Sequence, residues 1–186
     1  MLDSLLTPMN ADEVLSVSSE YIAAVVPHTA PDWMVPHEYG MTFEIGQTLE
    51  QSWRWLNTPA TFVDGQPPFF RVEFVSPDPN VPPGFHVGVL NTHHGPGLNF
   101  AGVITEVKPM EYRDLQYYYG AYALSPRLIR PTRLQFWTER SGTGTRMRLQ
   151  VDSLVRPRLC RLWTWTQRRF WNWFPWSMRR GIDAME

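Results

Sequence analysis

The chain has 186 residues, 43% of them hydrophobic, 14% aromatic and 19% charged, which suits one domain able to bury on the order of 70% of its unfolded surface without staples. Its single cysteine, Cys160, excludes an internal disulfide and suits a reducing compartment. A formal net charge of −1 argues against a dedicated nucleic-acid domain, no run nears the roughly 18 apolar residues of a membrane span, and a start whose first basic residue is Arg54 lacks the positive region of a secretory signal. These features predict a cytoplasmic protein.

The near-zero total conceals a polarity. Residues 1–53 carry eight acidic and no basic side chains, whereas residues 54–186 carry seventeen basic and ten acidic ones. Either the basic part meets an acidic surface, or the acidic front lies against it within one fold.

In chain order, Asn10 as N-cap, Glu13 three positions on, and Val14, Tyr21, Ile22, Val25 and Val26 at helical spacing predict an amphipathic helix over 10–26. Pro27, Pro31 and Pro36 make 27–39 a connector. Residues 1–40 thus read as an acidic arm with one helix and a proline-rich connector, and 41–186 as the main domain. Thr42 to Ile45 reads as a strand. Thr48 can then cap a helix with Gln51 in the reciprocal position, running to about Leu56 with Leu49, Trp53 and Leu56 on its apolar side. Pro59 limits Pro59 to Phe62 to one more turn.

Six strands follow, at about Phe69 to Val75, Phe85 to Asn91, Leu98 to Val107, Tyr112 to Tyr122, Thr132 to Glu139 and Thr145 to Val155, bounded by proline, glycine or acidic turns. In the last, Met147, Leu149 and Val151 alternate with Arg146, Arg148, Gln150 and Asp152, the period-2 pattern of a half-buried antiparallel strand. Ser141-Gly142-Thr143-Gly144 before it is hairpin-turn chemistry. Tyrosines occupy both faces of Tyr112 to Tyr122, so its inward face stays undetermined.

The chain closes on Arg156 to Arg180, with seven arginines, five tryptophans and no acidic residue. At 100° per residue, Leu159, Leu162, Trp163, Thr166, Phe170, Trp173 and Phe174 share a sector of about 120° that should face the sheet, with Arg161 and Arg168 opposite. Trp165, Arg169 and Trp176 form a surplus flank that either receives the acidic arm or touches a membrane transiently. Pro175 should end or kink the helix. Consecutive strands before one long helix predict an α+β fold, a curved seven-stranded antiparallel sheet packed on helices.

Three stretches carry a family resemblance. Ile45-Gly46-Gln47-Thr48-Leu49-Glu50-Gln51-Ser52-Trp53-Arg54-Trp55-Leu56-Asn57-Thr58-Pro59-Ala60-Thr61-Phe62, Gly102-Val103-Ile104-Thr105-Glu106-Val107-Lys108-Pro109 and Ser141-Gly142-Thr143-Gly144-Thr145-Arg146-Met147-Arg148-Leu149, in that order and spacing, resemble the first strand and helix, the mid-sheet strand and the late hairpin of the Bet v 1-like, or START-like, superfamily (SRPBCC). The likeness spans roughly residues 41 to 180. It implies a helix-grip fold, with the sheet wrapped around the C-terminal helix and an apolar cavity between them. Members range from hydrophobic-ligand carriers and lipid-transport proteins to polyketide cyclase/dehydrases, and no universal catalytic set carries over.

Candidates to line such a cavity are Phe70, Phe74, Val87, Phe100, Tyr117, Tyr119, Phe136, Met147, Leu149, Val151, Trp163, Thr166 and Phe170, large apolar walls with a few hydroxyls. They suggest a hydrophobic small molecule, a lipid or polyketide-like compound; the alternatives are a cyclase- or dehydratase-type enzyme using His86 or Tyr119 as proton carrier, and peripheral membrane association through Trp165, Arg169 and Trp176. His93 and His94 would point to opposite sides of a strand, and before Gly95-Pro96-Gly97 they read as a polar loop. No metal signature, phosphate loop or serine-nucleophile elbow occurs, so neither metal nor cofactor is expected.

Overall fold

The computed structural model describes residues 30–64, 71–122 and 125–185, apart from the side chains of Val63, Asp64 and Tyr119. The predicted helix over 10–26 lies outside these residues. The described elements are β1 (Val35–Ile45), α1 (Leu49–Asn57), α2 (Pro59–Asp64), β2 (Arg71–Val75), β3 (Leu90–Gly95), β4 (Leu98–Lys108), β5 (Tyr112–Tyr122), β6 (Ile129–Ser141), β7 (Gly144–Val155), one 3-10 turn at Pro157–Leu159 and α3 (Cys160–Asp183). All seven strands join one antiparallel sheet in the order β1-β7-β6-β5-β4-β3-β2. The expected seven-stranded sheet and long closing helix are therefore both present.

Local chemistry explains the boundaries. Thr48 caps α1 as expected: the Gln51 amide N–H donates to Thr48 Oγ1 at 3.3 Å, and the Thr48 N–H donates to Gln51 Oε1 at 2.8 Å. Ser141 pairs with Gly144 across a two-residue turn in which Gly142 takes a φ of +59°, a conformation that glycine adopts without penalty.

Four expectations need correction. The strand placed at Thr42 begins at Val35 and so takes in 35–39 of the supposed 27–39 connector; β1 is an edge of the described sheet, where Pro36 has no second described strand to miss its N–H. The strand placed at Phe85 to Asn91 begins only at Leu90, because positive φ at Gly84 and Gly88 takes the chain out of the pleat, and it continues through His93 and His94 rather than ending in a loop. Pro175 lies inside α3 rather than ending it, since Met178 and Ile182 beyond it are buried in the same core as Phe174. In α1 it is Ser52, Trp55 and Leu56 that are buried, rather than Leu49 and Trp53.

The largest correction concerns the face of α3. Trp163, Gln167, Trp171, Phe174, Met178 and Ile182 turn inward, a sector rotated about 90° from the predicted one at 100° per residue. Leu162, Phe170 and Trp173 face outward as a result. Of these, Trp171, Phe174, Met178 and Ile182 pack with Ile45, Trp55, Leu56, Phe136, Met147, Leu149 and Val151, and Trp163 packs with Ile129 and Val155. Close approach of α1 is possible because residue 181 is glycine; a Cβ there would overlap the Trp55 indole nitrogen.

Candidate functional site

Two large apolar clusters lie on the concave side of the sheet, beside a smaller one of Ile129, Val155 and Trp163. One joins α3 to β1, β6 and β7; the other gathers Phe85, Val89, Phe100, Ile104, Leu115 and Tyr117 towards the β2 to β5 end. Phe62 and Leu134 touch both clusters. At this junction stands a residue that the alternation of the sequence does not flag, Arg113.

β5 resolves its ambiguous faces by turning Arg113, Leu115 and Tyr117 inward, all 3% exposed or less. The Arg113 guanidinium carbon lies 3.8 Å from the Phe85 ring centroid, 5.1 Å from that of Phe136 and 5.7 Å from that of Phe62. Its Nη1 donates to the Leu56 carbonyl at the end of α1, while its buried Nε has no hydrogen-bond partner among the described residues. No carboxylate balances it among the described residues. Neighbouring Asp114 points to the opposite face of the sheet, where it takes bonds from Arg133 at 2.7 and 3.1 Å and from Thr105 Oγ1 at 2.6 Å. Burial pushes the Arg113 pKa down to about 9, which leaves it charged at neutral pH.

A second inward group lies on β3, β4 and β5. The His93 ring stacks on Phe100 with centroids 4.5 Å apart and meets Tyr117 edge-on at 5.9 Å, and one ring nitrogen contacts Asn91 Oδ1 at 2.6 Å. Burial, followed by the charge of His94, pushes the His93 pKa down to about 3. Burial likewise raises the Tyr117 hydroxyl well above its ordinary value. His94 turns the other way, 3.4 Å from Glu73, so the two histidines do point to opposite sides.

Of the predicted lining, Phe100, Tyr117, Phe136, Met147, Leu149, Val151 and Trp163 are buried, and Phe74 is half-buried against Phe85 at 4.6 Å. Phe100 and Tyr117 come together at 4.8 Å, and Trp163 donates from Nε1 to Ser153 Oγ at 3.3 Å. Val87 and the proposed proton carrier His86 are exposed instead, because they sit in the irregular stretch before β3 where no pleat turns them inward. Phe170 is 52% exposed, and Thr166 spends its hydroxyl on the Leu162 and Trp163 carbonyls, both consequences of the rotated helix face. Phe70 and the Tyr119 side chain lie outside the described residues. Arg113, Phe85 and Phe62 were missed; for Arg113 the alternation of β5 offered no signal, since tyrosines stand on both of its faces.

No protein-family model and no curated protein sequence matches the chain, whereas solved structures match along most of it. A truncated norcoclaurine synthase from Thalictrum flavum aligns at a TM-score of 0.56 and 14% identity, covering 86% of this chain and 97% of that one. SA2116 from Staphylococcus aureus, described as a protein of unknown function, aligns at 0.60 and 11% identity over 82% and 96%. Ara h 8.0201 aligns at 0.52 and 9% identity over 81% and 97%. With β2 to β7 running as a meander, β1 crossing over to pair with β7, and the sheet packed on α3, the chain has the Bet v 1-like helix-grip fold.

Proposed function

We propose that the protein binds a hydrophobic small molecule, lipid or polyketide-like, inside the grip of sheet and α3, with an acidic or carbonyl oxygen of that molecule on Arg113. The carrying observation is a ring-walled guanidinium for which the described residues offer no partner at Nε and no carboxylate. An interior of large apolar walls with a few inward polar groups is the makeup of small-molecule sites. Taking a cation out of water costs several kcal/mol unless hydrogen bonds and an opposite charge offset it. The Leu56 carbonyl, at the negative end of α1, offsets part of that cost. A ligand oxygen at Nε supplies the rest, and the rings hold its apolar body.

The test compares dodecanoate with dodecanol as probes, by calorimetric titration of the native chain and of Arg113→Met. We expect dodecanoate to bind about tenfold or more weakly to the variant, as loss of a charge-assisted bond implies, with dodecanol unchanged. Failure of either probe to bind the native chain would refute the interior site. Equal weakening of both probes, or none, would refute the role of Arg113.

A further inference from the structure

The outward side of α3 is a second apolar face. A helix that lines a core normally turns polar residues to water, yet Leu162 is 56% exposed, Trp165 59%, Phe170 52%, Trp173 43% and Trp176 51%. At 100° per residue these five fall within a sector of about 140° on the side away from the buried stripe, meeting it only where Phe170 adjoins Trp163. Arg169 and Arg180 lie inside that sector and Arg161 and Arg168 about 40–60° outside it, all exposed. Trp173 and Trp176 are 5.8 Å apart, and the Arg180 guanidinium lies 5.4 Å from the Trp176 ring. Among the described residues no ion pair involves an arginine of α3. Arg179 donates to the Glu44 carbonyl, and the one acidic residue of the helix, Asp183, sits at its end, held by Gln47 at 3.0 Å.

We propose that this face docks the protein on an anionic lipid bilayer, with the axis of α3 in the plane of the surface, the tryptophan rings at headgroup depth and the arginines on lipid phosphates. Tryptophan is amphipathic and gathers at that depth, and arginine adds attraction to acidic headgroups. A second copy of the chain is a poor occupant, since a two-fold contact would bring the arginines of one face against those of the other. No described helix is long and apolar enough to cross a membrane, so the helix lies on the surface. This surface does not depend on the interior site.

Co-sedimentation of the full chain with vesicles tests it. With phosphatidylcholine vesicles containing a minority of phosphatidylglycerol, the chain should pellet at low salt and be released as salt rises; vesicles of phosphatidylcholine alone should retain much less. The pairs Trp165→Ser with Trp176→Ser, and Arg169→Gln with Arg180→Gln, should each weaken binding about tenfold. Lys108→Gln, at the far β4–β5 turn, should leave it unchanged. All five positions are exposed, so unaltered circular dichroism melting will show that the variants fold. Absence of binding at low salt would overturn the proposal and leave another occupant, such as residues 1–29 with their four carboxylates, to cover the face. Binding indifferent to both pairs, or to lipid charge, would also overturn it.

Discussion

Desolvation acts on Arg113 and His93 alike, yet it leaves one charged and the other neutral at pH 7. Arg113 starts from so high a pKa that a fall to about 9 keeps its proton; His93, lowered to about 3, has lost its own. His93 therefore sets a pH limit on stability. Its folded pKa lies below the unfolded value near 6.5, so the unfolded chain binds the extra proton as pH falls through 6.5, and the stabilising contribution, complete above that value, declines down to about pH 3. We expect unfolding free energy to fall on the order of 1 kcal/mol per pH unit below pH 6 from this group. His93→Phe should flatten that part of a denaturant-derived profile; an unchanged slope would assign it to carboxylates. At this scale the sequence marked the aromatic wall, since Phe100, Tyr117, Phe136 and Trp163 are buried. It did not mark Arg113, because tyrosines on both faces of β5 left either one free to turn inward.

Among the elements, α3 shows how helical periodicity misleads when apolar residues occupy most of the circumference. With tryptophans on both sides of the helix, the predicted sector and the buried one differ by about a quarter turn, and contact with β1 and α1 decides between them. The buried face contains Gln167, whose Oε1 accepts from Trp171 Nε1 at 2.8 Å; a polar residue with a local partner is admitted to a core that polarity alone would bar. Truncation distinguishes the two faces. Met178→Ala, at a fully buried site beyond Pro175, should cost about 2–5 kcal/mol, whereas Phe170→Ala should stay within about 0.5 kcal/mol. Urea melts of both variants check this, and a reversed ranking would restore the sector read from periodicity.

At the scale of the whole molecule, part of the charge polarity closes on itself. Glu44 pairs with Arg146 at 2.8 Å and Glu50 with Arg140 at 2.6 Å, so described acids of the front do meet bases of the later chain on the sheet surface. α3 takes no share in that pairing, which leaves its arginines available. If the interior holds a ligand, the stability of the molecule is linked to occupancy. Saturating dodecanoate, at roughly 100 times its dissociation constant, should stabilise the chain by about 2.7 kcal/mol. Thermal melts of solvent-extracted protein with and without the probe measure this, and coincident curves would contradict an interior site.

Element order, the Thr48 cap, the Gly142 turn and the alternation of β7 are matters of local chemistry, carried by residues within a few positions of one another, and for that reason the sequence by itself determined them. The start of β1 at Val35, the passage of α3 through Pro175, the inward turn of Arg113 and the rotation of α3 depend on partners far away in the chain. Pro36 is tolerated because no described strand lies beyond β1, Pro175 because core contacts continue past it, and Arg113 because the Leu56 carbonyl comes within reach from more than fifty residues away. Only the tertiary structure decided these, since packing free energy is shared among elements that no local window contains. The same packing spends one side of the Trp/Arg helix on the core and leaves the other side, with most of its tryptophans, facing outward.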